Sequence, residues 1–257
     1  RRAPEFGLRA PEPGYAWPDL VRSVREVIAR IEPHDHPDRF RGMGVDVVFG
    51  AARFLGPHEL EVEGVRRLAA RRIVLATGAV PAVPPVDGLT EAGYWTSDDI
   101  FRPIERQPES LLVLGAGPIG VELGQVFQRL GTRVTLIEMA DRILPREDPE
   151  VADALRAILE AEGVRIRTGV RATRAEATPD GGKRVTVRGA DGRTETLEGA
   201  ALLVATGKRP NVEGLGLERA GVEAGPGGIR VDRTMRTTAR HIWAAGDVTG
   251  TLLFTHV

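Results

Sequence analysis

Short apolar runs alternate with amphipathic stretches along most of the chain, a pattern typical of an α/β fold with parallel strands. The clearest case begins with the apolar strand Ser110–Leu114 and continues into a predicted helix that starts at Pro118. A second apolar strand, Arg133–Ile137, follows this helix after Gly131. The predicted apolar face of the helix consists of Ile119, Leu123, Val126, Phe127 and Leu130. These elements together predict a βαβ unit.

The turn between the first strand and the helix reads Gly115-Ala116-Gly117-Pro118-Ile119-Gly120, a G-x-G-x-x-G sequence. In this context the first glycine permits a tight turn, the second lets the backbone approach a pyrophosphate, and the third lets the helix pack closely on the strand. The helix N-terminus adds free N–H groups and a partial positive charge. We therefore expect Gly115, Gly117, Pro118, Ile119 and Gly120 to bind a dinucleotide.

Glu138 follows the second strand, where an acidic residue is expected to hold the adenosine ribose. A carboxylate there makes charge-assisted hydrogen bonds to ribose hydroxyls, worth about 1.5–3 kcal/mol. A 2′-phosphate would instead meet a like charge, at a cost of about 4 kcal/mol at 4 Å in a surface-like dielectric. We therefore expect NAD(H) as the cofactor and NADP to be less favoured, although Arg142 in the next loop has the charge to reach a 2′-phosphate.

Further elements follow from the same patterns on either side of this unit. They are a helix at 18–31, a loop at 32–41, strands at 45–49 and 59–62, a helix from Asp148-Pro149 to Gly163, a strand at 164–166, and a hairpin whose turn is Asp191-Gly192. The segments 81–85 and 101–108 are predicted to be crossovers, and 226–228 is predicted to be a turn.

An A-T-G-x-x-P sequence occurs twice, at 76–81 and at 205–210, and each copy ends a strand of buried type. Small residues at a strand end let a cofactor or another backbone approach closely. A last apolar strand ends in Gly246-Asp247, which leaves a carboxylate at the edge where α/β sheets bind ligands. The sequence therefore predicts two nucleotide-binding domains, one around each A-T-G.

Composition excludes several classes of function. The 257 residues are 42% hydrophobic and 28% charged with a formal net charge of −1, which argues against nucleic acid and anionic membrane surfaces as partners. No apolar run is long enough for a membrane span and the start has no signal-peptide core, so we expect a cytoplasmic protein.

With no cysteine, the chain has no disulfide and no thiolate nucleophile. We predict no metal site and no catalytic residue, and we interpret His34-Asp35-His36 as a polar loop.

The order of these landmarks resembles the pyridine nucleotide-disulfide oxidoreductase family, in particular its mercuric reductase and dihydrolipoamide dehydrogenase members. The resemblance implies an α/β fold of two Rossmann-like domains, in which an NAD(H)-binding domain (109–208) is inserted into an incomplete FAD-binding domain (1–108 and 209–257). It implies that Asp247 binds the flavin ribityl chain and that Glu122 lies near the nicotinamide. The other contacts implied by the resemblance are FAD contacts at Ala52 (in the segment 49–54), Thr77, Gly78 and Gly246, a nucleotide contact at Gly207, and a flavin-facing segment at 254–257.

The resemblance also implies a function. Intact members pass hydride from NADH to FAD and then to a disulfide, a metal ion or another small-molecule acceptor, and they are expected to be homodimers. The family's N-terminal FAD-binding turn, its C-x4-C redox disulfide and its C-terminal interface domain do not occur in these 257 residues. We therefore expect a truncated family member that is inactive by itself as a disulfide reductase. A non-catalytic NAD-binding module and a relative of NADH oxidases or ferredoxin reductases remain alternatives.

Overall fold

The computed structural model describes residues 14–100 and 104–251. The predicted flavin-facing segment 254–257 and part of the predicted crossover at 101–108 lie outside these ranges. The helices are α1 (Trp17–Asp35), α2 (Pro37–Gly42), α3 (Leu89–Ala92), α4 (Pro118–Arg129) and α5 (Pro149–Ala161), with 3-10 helices at Leu217–Ala220 and Gly246–Thr249. The strands are β1 (Ala52–Gly56), β2 (Glu59–Val62), β3 (Arg66–Ala69), β4 (Ile73–Leu75), β5 (Ala79–Pro81), β6 (Ser110–Leu114), β7 (Arg133–Ile137), β8 (Arg165–Arg167), β9 (Val170–Ala177), β10 (Lys183–Gly189), β11 (Thr194–Gly199), β12 (Ala201–Val204), β13 (Lys208–Pro210), β14 (Ala224–Gly225), β15 (Gly228–Ile229) and β16 (Ile242–Ala244).

A four-stranded parallel sheet with the order β12-β6-β7-β8 forms the centre of the larger unit. Its strands carry apolar residues on both faces, as expected for a parallel sheet that is covered on both sides. One face packs Leu111, Val113 and Leu203 against the helices α4 and α5. The other face packs against the antiparallel sheet β11-β10-β9. The unit is thus a three-layer sandwich, and its predicted βαβ arrangement is confirmed.

A second, smaller core lies around the parallel strand pair β4 and β16. Ile73, Leu75, Ile242 and Ala244 are buried there together with Phe54 from β1. Strands β1, β2 and β3 form a separate antiparallel sheet beside this core. The main-chain N–H of Phe54 donates to the carbonyl of Leu215 at 2.8 Å, which fixes the sheet to the segment before the 3-10 helix Leu217–Ala220.

The two A-T-G-x-x-P segments meet each other in the structure. Strand β5 follows the first A-T-G, strand β13 follows the second, and the two strands pair antiparallel with Lys208 opposite Pro81. The hydroxyl of Thr206 donates to the carbonyl of Ala82 at 2.6 Å, and the hydroxyl of Thr77 donates to the carbonyl of Asn211 at 2.8 Å. The two chain passages between the cores therefore form one hydrogen-bonded ribbon.

The structure corrects the prediction for residues 45–49. This segment is not a strand, and the first strand begins only at Ala52. A strand requires a hydrogen-bonded neighbour, and none lies beside 45–49 within the described ranges. The segment 49–54 is consequently the beginning of an antiparallel strand, not the end of a parallel one.

The predicted loop at 32–41 is also wrong, because α1 continues to Asp35 and α2 begins at Pro37. Proline is tolerated in the first helical turn, where its missing N–H leaves no hydrogen bond unmade. The Nδ1 atom of His36 accepts a hydrogen bond from the main-chain N–H of Asp38 at 3.3 Å and so caps α2.

Most of the predicted apolar residues of α4 and α5 pack into the core, but three of them do not. Val126 on α4 and Val151 and Ile158 on α5 are between 50% and 60% exposed. On α4, Ile119, Leu123 and Phe127 pack as predicted. The buried face also includes Gly124, where a Cβ atom would lie 2.9 Å from a methyl carbon of Leu136. Helix α4 thus approaches the sheet closely at Gly124, and Val126 lies outside the buried face.

Candidate dinucleotide-binding site

The first glycine of the fingerprint lies in a turn that only glycine can form. Gly115 has φ +98°, and its N–H donates to the carbonyl of Ile137 at 2.8 Å. A Cβ atom at this position would lie 2.5 Å from the carbonyl oxygen of Ala205, in the second A-T-G segment. Gly115 therefore provides both the left-handed conformation and the close contact between two strand ends.

Gly117 and Gly120 differ in what surrounds them. A Cβ atom on Gly120 would lie 2.1 Å from the carbonyl oxygen of Gly115, so the start of α4 packs directly on the turn. A Cβ atom on Gly117 would meet no atom within 4 Å. Gly120 is thus required by the fold, whereas the missing side chain of Gly117 leaves open space above the turn, as a pyrophosphate requires.

Helix α4 begins at this open space, with Gly117 as its N-cap and Pro118 as its first residue. The first-turn N–H groups of a helix have no partner inside the helix, and they carry the positive end of its dipole. Pro118 is exposed and Ile119 packs partly into the core below. The turn therefore offers an anion both hydrogen-bond donors and a favourable potential.

The carboxylate of Glu138 holds the fingerprint turn in place. Its Oε2 atom accepts a hydrogen bond from the N–H of Ala116 at 2.8 Å, and its Oε1 atom accepts one from the N–H of Ala140 at 2.9 Å. Glu138 is only 9% exposed. Because each carboxylate oxygen can accept more than one hydrogen bond, ribose hydroxyls can still bind the outer side of this group. Sequence reasoning identified Glu138 but missed its contact with the turn.

The loop after Glu138 is also anchored to the fingerprint. Leu144 adopts φ +46°, and its N–H donates to the carbonyl of Ala116 at 2.9 Å. Both main-chain polar groups of Ala116 are therefore bound by residues after β7. Arg142 in the same loop is half-buried, and its Nε atom is buried without a hydrogen-bond partner in the described residues.

Two further predicted contacts of the dinucleotide lie close by in the fold. Glu122 is on the first turns of α4 and is exposed. Gly207 is the last residue of the second A-T-G and has φ +111°, and no atom lies within 4 Å of a hypothetical Cβ there. Its carbonyl accepts a hydrogen bond from the N–H of Ala82 at 2.9 Å. Gly207 follows Ala205, whose carbonyl oxygen faces Gly115.

The residues predicted to contact FAD fall into two groups. Thr77, Gly78, Gly246 and Asp247 follow the carboxyl ends of the paired parallel strands β4 and β16, where the N–H of Ala245 donates to the carbonyl of Leu75 at 2.9 Å. Gly78 and Gly246 have positive φ values, and neither has an atom within 4 Å of a hypothetical Cβ. Ala52 lies apart from this edge, at the start of the antiparallel sheet and opposite Val62.

Two features are absent from residues 14–100 and 104–251. No helix there is both long enough and apolar enough to cross a bilayer. Within the same ranges, no three histidine, aspartate or glutamate side chains form a group that could hold a metal ion.

We expect Glu138→Ala to lower the free energy of unfolding, because it leaves the buried N–H of Ala116 and the partly buried N–H of Ala140 without their acceptor. Each such group costs about 1–3 kcal/mol. Urea unfolding followed by circular dichroism measures the loss. Glu147→Ala, on the exposed part of the same loop, is the control and should change stability by less than about 0.5 kcal/mol. Equal stability of the two variants would contradict the anchoring role of Glu138.

Comparisons with known proteins match nearly the whole chain. The family model described as pyridine nucleotide-disulphide oxidoreductase matches residues 20–257. A mercuric reductase from Streptomyces lividans is 37% identical over 250 residues, which is 95% of this chain and 52% of that protein. A dihydrolipoyl dehydrogenase from Thermus scotoductus is 41% identical over 259 residues, with 98% of this chain and 54% of that protein covered.

A solved structure is similar over almost the whole chain. The Cu(II) complex of the HOCl-induced flavoprotein disulfide reductase RclA from Escherichia coli superposes with a TM-score of 0.84 at 32% identity, covering 95% of this chain and 55% of that one. The chain spans about half the length of the curated relatives that it matches.

Proposed function

Because this chain belongs to the pyridine nucleotide-disulphide oxidoreductase family, we propose that it binds NAD(H) at residues 115–138 and is part of an FAD-dependent NADH oxidoreductase. The observation that carries the proposal is the buried Glu138 carboxylate, which is hydrogen-bonded to the fingerprint turn and has further acceptor capacity for a ribose. The open space above Gly117 fits the pyrophosphate of the same molecule. NADH supplies a hydride when it is bound.

Different residues of the site would bind different parts of NAD(H). The first-turn N–H groups of α4 would bind the pyrophosphate, with Pro118 and Ile119 shaping the turn. Glu138 would accept hydrogen bonds from the adenosine ribose. Glu122 and Gly207 would lie along the nicotinamide half, since Glu122 is further along α4 and Gly207 is at the neighbouring strand end.

We further propose that residues 109–208 form the NAD(H)-binding domain and that 1–108 and 209–257 contribute to an FAD-binding domain. Two separate cores support this division, and the ribbon of β5 and β13 lies at the two passages between them. On the FAD side, Thr77, Gly78, Gly246 and Asp247 would approach the flavin, and Ala52 would approach the adenine. The electron acceptor would be a small molecule, and the intact protein would be a homodimer.

We expect NADH to bind at least about tenfold more tightly than NADPH, a difference of about 1.4 kcal/mol. The physical reason is the like charge between the Glu138 carboxylate and a 2′-phosphate. Isothermal titration calorimetry of the full chain with each cofactor measures the difference. Equal affinities would contradict the assignment of Glu138 to the ribose.

A matched variant separates the charge of Glu138 from its structural role. Glu138→Gln keeps an acceptor for one of the two N–H groups but removes the negative charge. This variant should bind NADPH better relative to NADH than the unmodified chain does. The Glu147→Gln variant is the control. It removes a negative charge from the exposed loop and should leave the preference for NADH over NADPH unchanged.

We expect no NADH-dependent reduction of disulfides or of mercuric ions by this chain alone. Without a cysteine it has no thiol relay between a flavin and such a substrate. Thiol release from a disulfide substrate, followed with a colorimetric reagent against a buffer blank, measures the activity. Turnover above the blank would show that electrons leave by another route.

The absence of cysteine also favours a second candidate, a non-catalytic NAD-binding module. The two candidates differ in whether residues of this chain contact a flavin. Weak flavin binding that Asp247→Ala abolishes would support the oxidoreductase, and tight NADH binding together with no effect of Asp247→Ala on flavin would support the module.

A further inference from the structure

The sulfur atoms of this chain are all thioethers, because it has three methionines and no cysteine. Met43 and Met139 are each 68% exposed, and Met235 is 38% exposed. Oxidation converts a thioether into a sulfoxide, which is polar and disrupts the apolar contacts that methionine makes. A methionine that is both exposed and next to a binding site is therefore a position where oxidation can change affinity.

Met139 meets both conditions, because it directly follows Glu138 in a part of the chain that is held in place. The carbonyl of Glu138 accepts a hydrogen bond from the N–H of Val170 at 3.1 Å. The carbonyl of Ala140 accepts one from the N–H of Gly169 at 2.7 Å. The main chain is thus bound on both sides of Met139, and its exposed side chain has a fixed origin beside the carboxylate that we assign to the ribose.

The order of the strands gives the direction in which the adenine extends from that ribose. Strands β6, β7 and β8 are parallel neighbours, so their carboxyl ends lie at one edge of the sheet. With the pyrophosphate at Gly117 after β6 and the ribose at Glu138 after β7, the adenine lies towards the end of β8. This places the base beside Met139 and Gly169. Gly169 has no atom within 4 Å of a hypothetical Cβ, so the edge is open there.

We propose that Met139 is an oxidation site through which a hydroperoxide lowers the affinity of this chain for NADH, an inference that rests on the proposed NAD(H) site. The opening that admits a nucleotide to Glu138 also admits hydrogen peroxide to the next residue. The sulfur attacks one peroxide oxygen, so that an S–O bond forms and the O–O bond breaks. The other oxygen takes up the proton of the transferred hydroxyl and leaves as water. Methionine loses two electrons, and the peroxide gains them.

The sulfoxide of Met139 weakens binding for two physical reasons. The thioether makes a favourable sulfur–aromatic contact with a base, and oxidation removes it. The sulfoxide oxygen is hydrated and has to lose water to remain beside the base. We expect NADH to bind about three- to tenfold more weakly after oxidation.

Peroxide treatment of the full chain tests the proposal, with sulfoxides located by peptide mass spectrometry and NADH affinity measured by calorimetry after the peroxide is removed. Met139→Leu keeps the size and apolar character of the side chain, so it should bind NADH as the unmodified chain does, before and after treatment. Met43→Leu is the matched control, because Met43 is equally exposed and lies just after α2, outside residues 109–208. This control should lose affinity on treatment as the unmodified chain does.

Two further measurements connect the loss to the sulfoxide and to the adenosine half. Methionine sulfoxide reductase should restore the affinity of the treated unmodified chain. ADP-ribose, which shares adenosine and pyrophosphate with NADH, should lose affinity by the same factor as NADH.

An unchanged NADH affinity once Met139 is oxidised, or a loss that Met139→Leu also shows, would overturn the proposal and leave the NAD(H) site standing. A resistance of Met139 to peroxide while Met43 is oxidised would overturn it equally. An untreated, folded chain that binds no NADH would instead overturn the proposed function, and this inference with it.

Discussion

Replacing Gly117 by valine should abolish binding of both NADH and NADPH while leaving the fold intact. Gly117 has φ −73° and ψ −176°, an extended conformation that valine adopts readily. No atom lies within 4 Å of a Cβ at this position, so the side chain fits the free protein. It would occupy the space through which the pyrophosphate must approach the backbone. We expect a loss of at least about 100-fold in affinity, about 2.7 kcal/mol, by calorimetric titration.

Two other glycines provide the controls for this result. Gly227 also has no atom within 4 Å of a hypothetical Cβ and lies in the turn between β14 and β15, so Gly227→Val should bind NADH normally. Gly120→Val should instead unfold at a lower urea concentration, because its Cβ would lie 2.1 Å from the carbonyl oxygen of Gly115. If folded Gly117→Val bound NADH as tightly as the Gly227→Val control, the pyrophosphate would not lie at this turn.

The second large effect concerns FAD, which we expect these 257 residues to bind weakly or not at all. The proposed contacts lie at the two ends of FAD. Ala52 would contact the adenine, and Thr77, Gly78 and Asp247 would contact the flavin end. A pyrophosphate needs backbone N–H donors at a helix N-terminus, and the G-x-G-x-x-G sequence that begins at Gly115 is assigned to NAD. Each charge-assisted bond that is not made costs about 1.5–3 kcal/mol. Three missing bonds would weaken binding by several powers of ten.

Quenching of flavin fluorescence on titration with the protein measures this affinity. Asp247→Ala is the matched variant, and it should matter only if flavin binds through the edge formed by β4 and β16. Flavin absorbance that stays with the chain through gel filtration would contradict the expectation. It would mean that other residues, or a second copy of the chain, supply the donors for the pyrophosphate.

The parts of the site that could be predicted from the sequence are those set by local spacing. The strand, the turn at Gly115 and the helix at Pro118 are contiguous, so their order alone predicts the βαβ unit that the structure contains. The same holds for the hairpin of β10 and β11, whose turn was predicted at Asp191-Gly192 and is confirmed by the pairing of Arg188 with Thr194.

The features that the sequence did not reveal depend on contacts between distant residues. The hydrogen bond from Ala116 to Glu138 joins residues on different strands, and an acidic residue that only binds ribose would have the same sequence position. The pairing of β5 with β13 also joins residues that are distant in the sequence. The repeated A-T-G-x-x-P indicates two strand ends but not that they meet. The segment 45–49 is rich in the β-branched and aromatic residues that strands favour, yet pairing with a neighbour decides whether a strand forms.

The measurement that tests the central claim most directly is hydrogen–deuterium exchange of the full chain with and without saturating NADH. The account predicts that NADH slows exchange at the amides of residues 115–121 and 138–140, where the turn, the start of α4 and the Glu138 carboxylate lie. Exchange in the β1–β3 sheet should stay unchanged. Protection that is absent from the fingerprint turn, or that appears only around β4 and β16, would contradict the claim that residues 115–138 hold NAD(H).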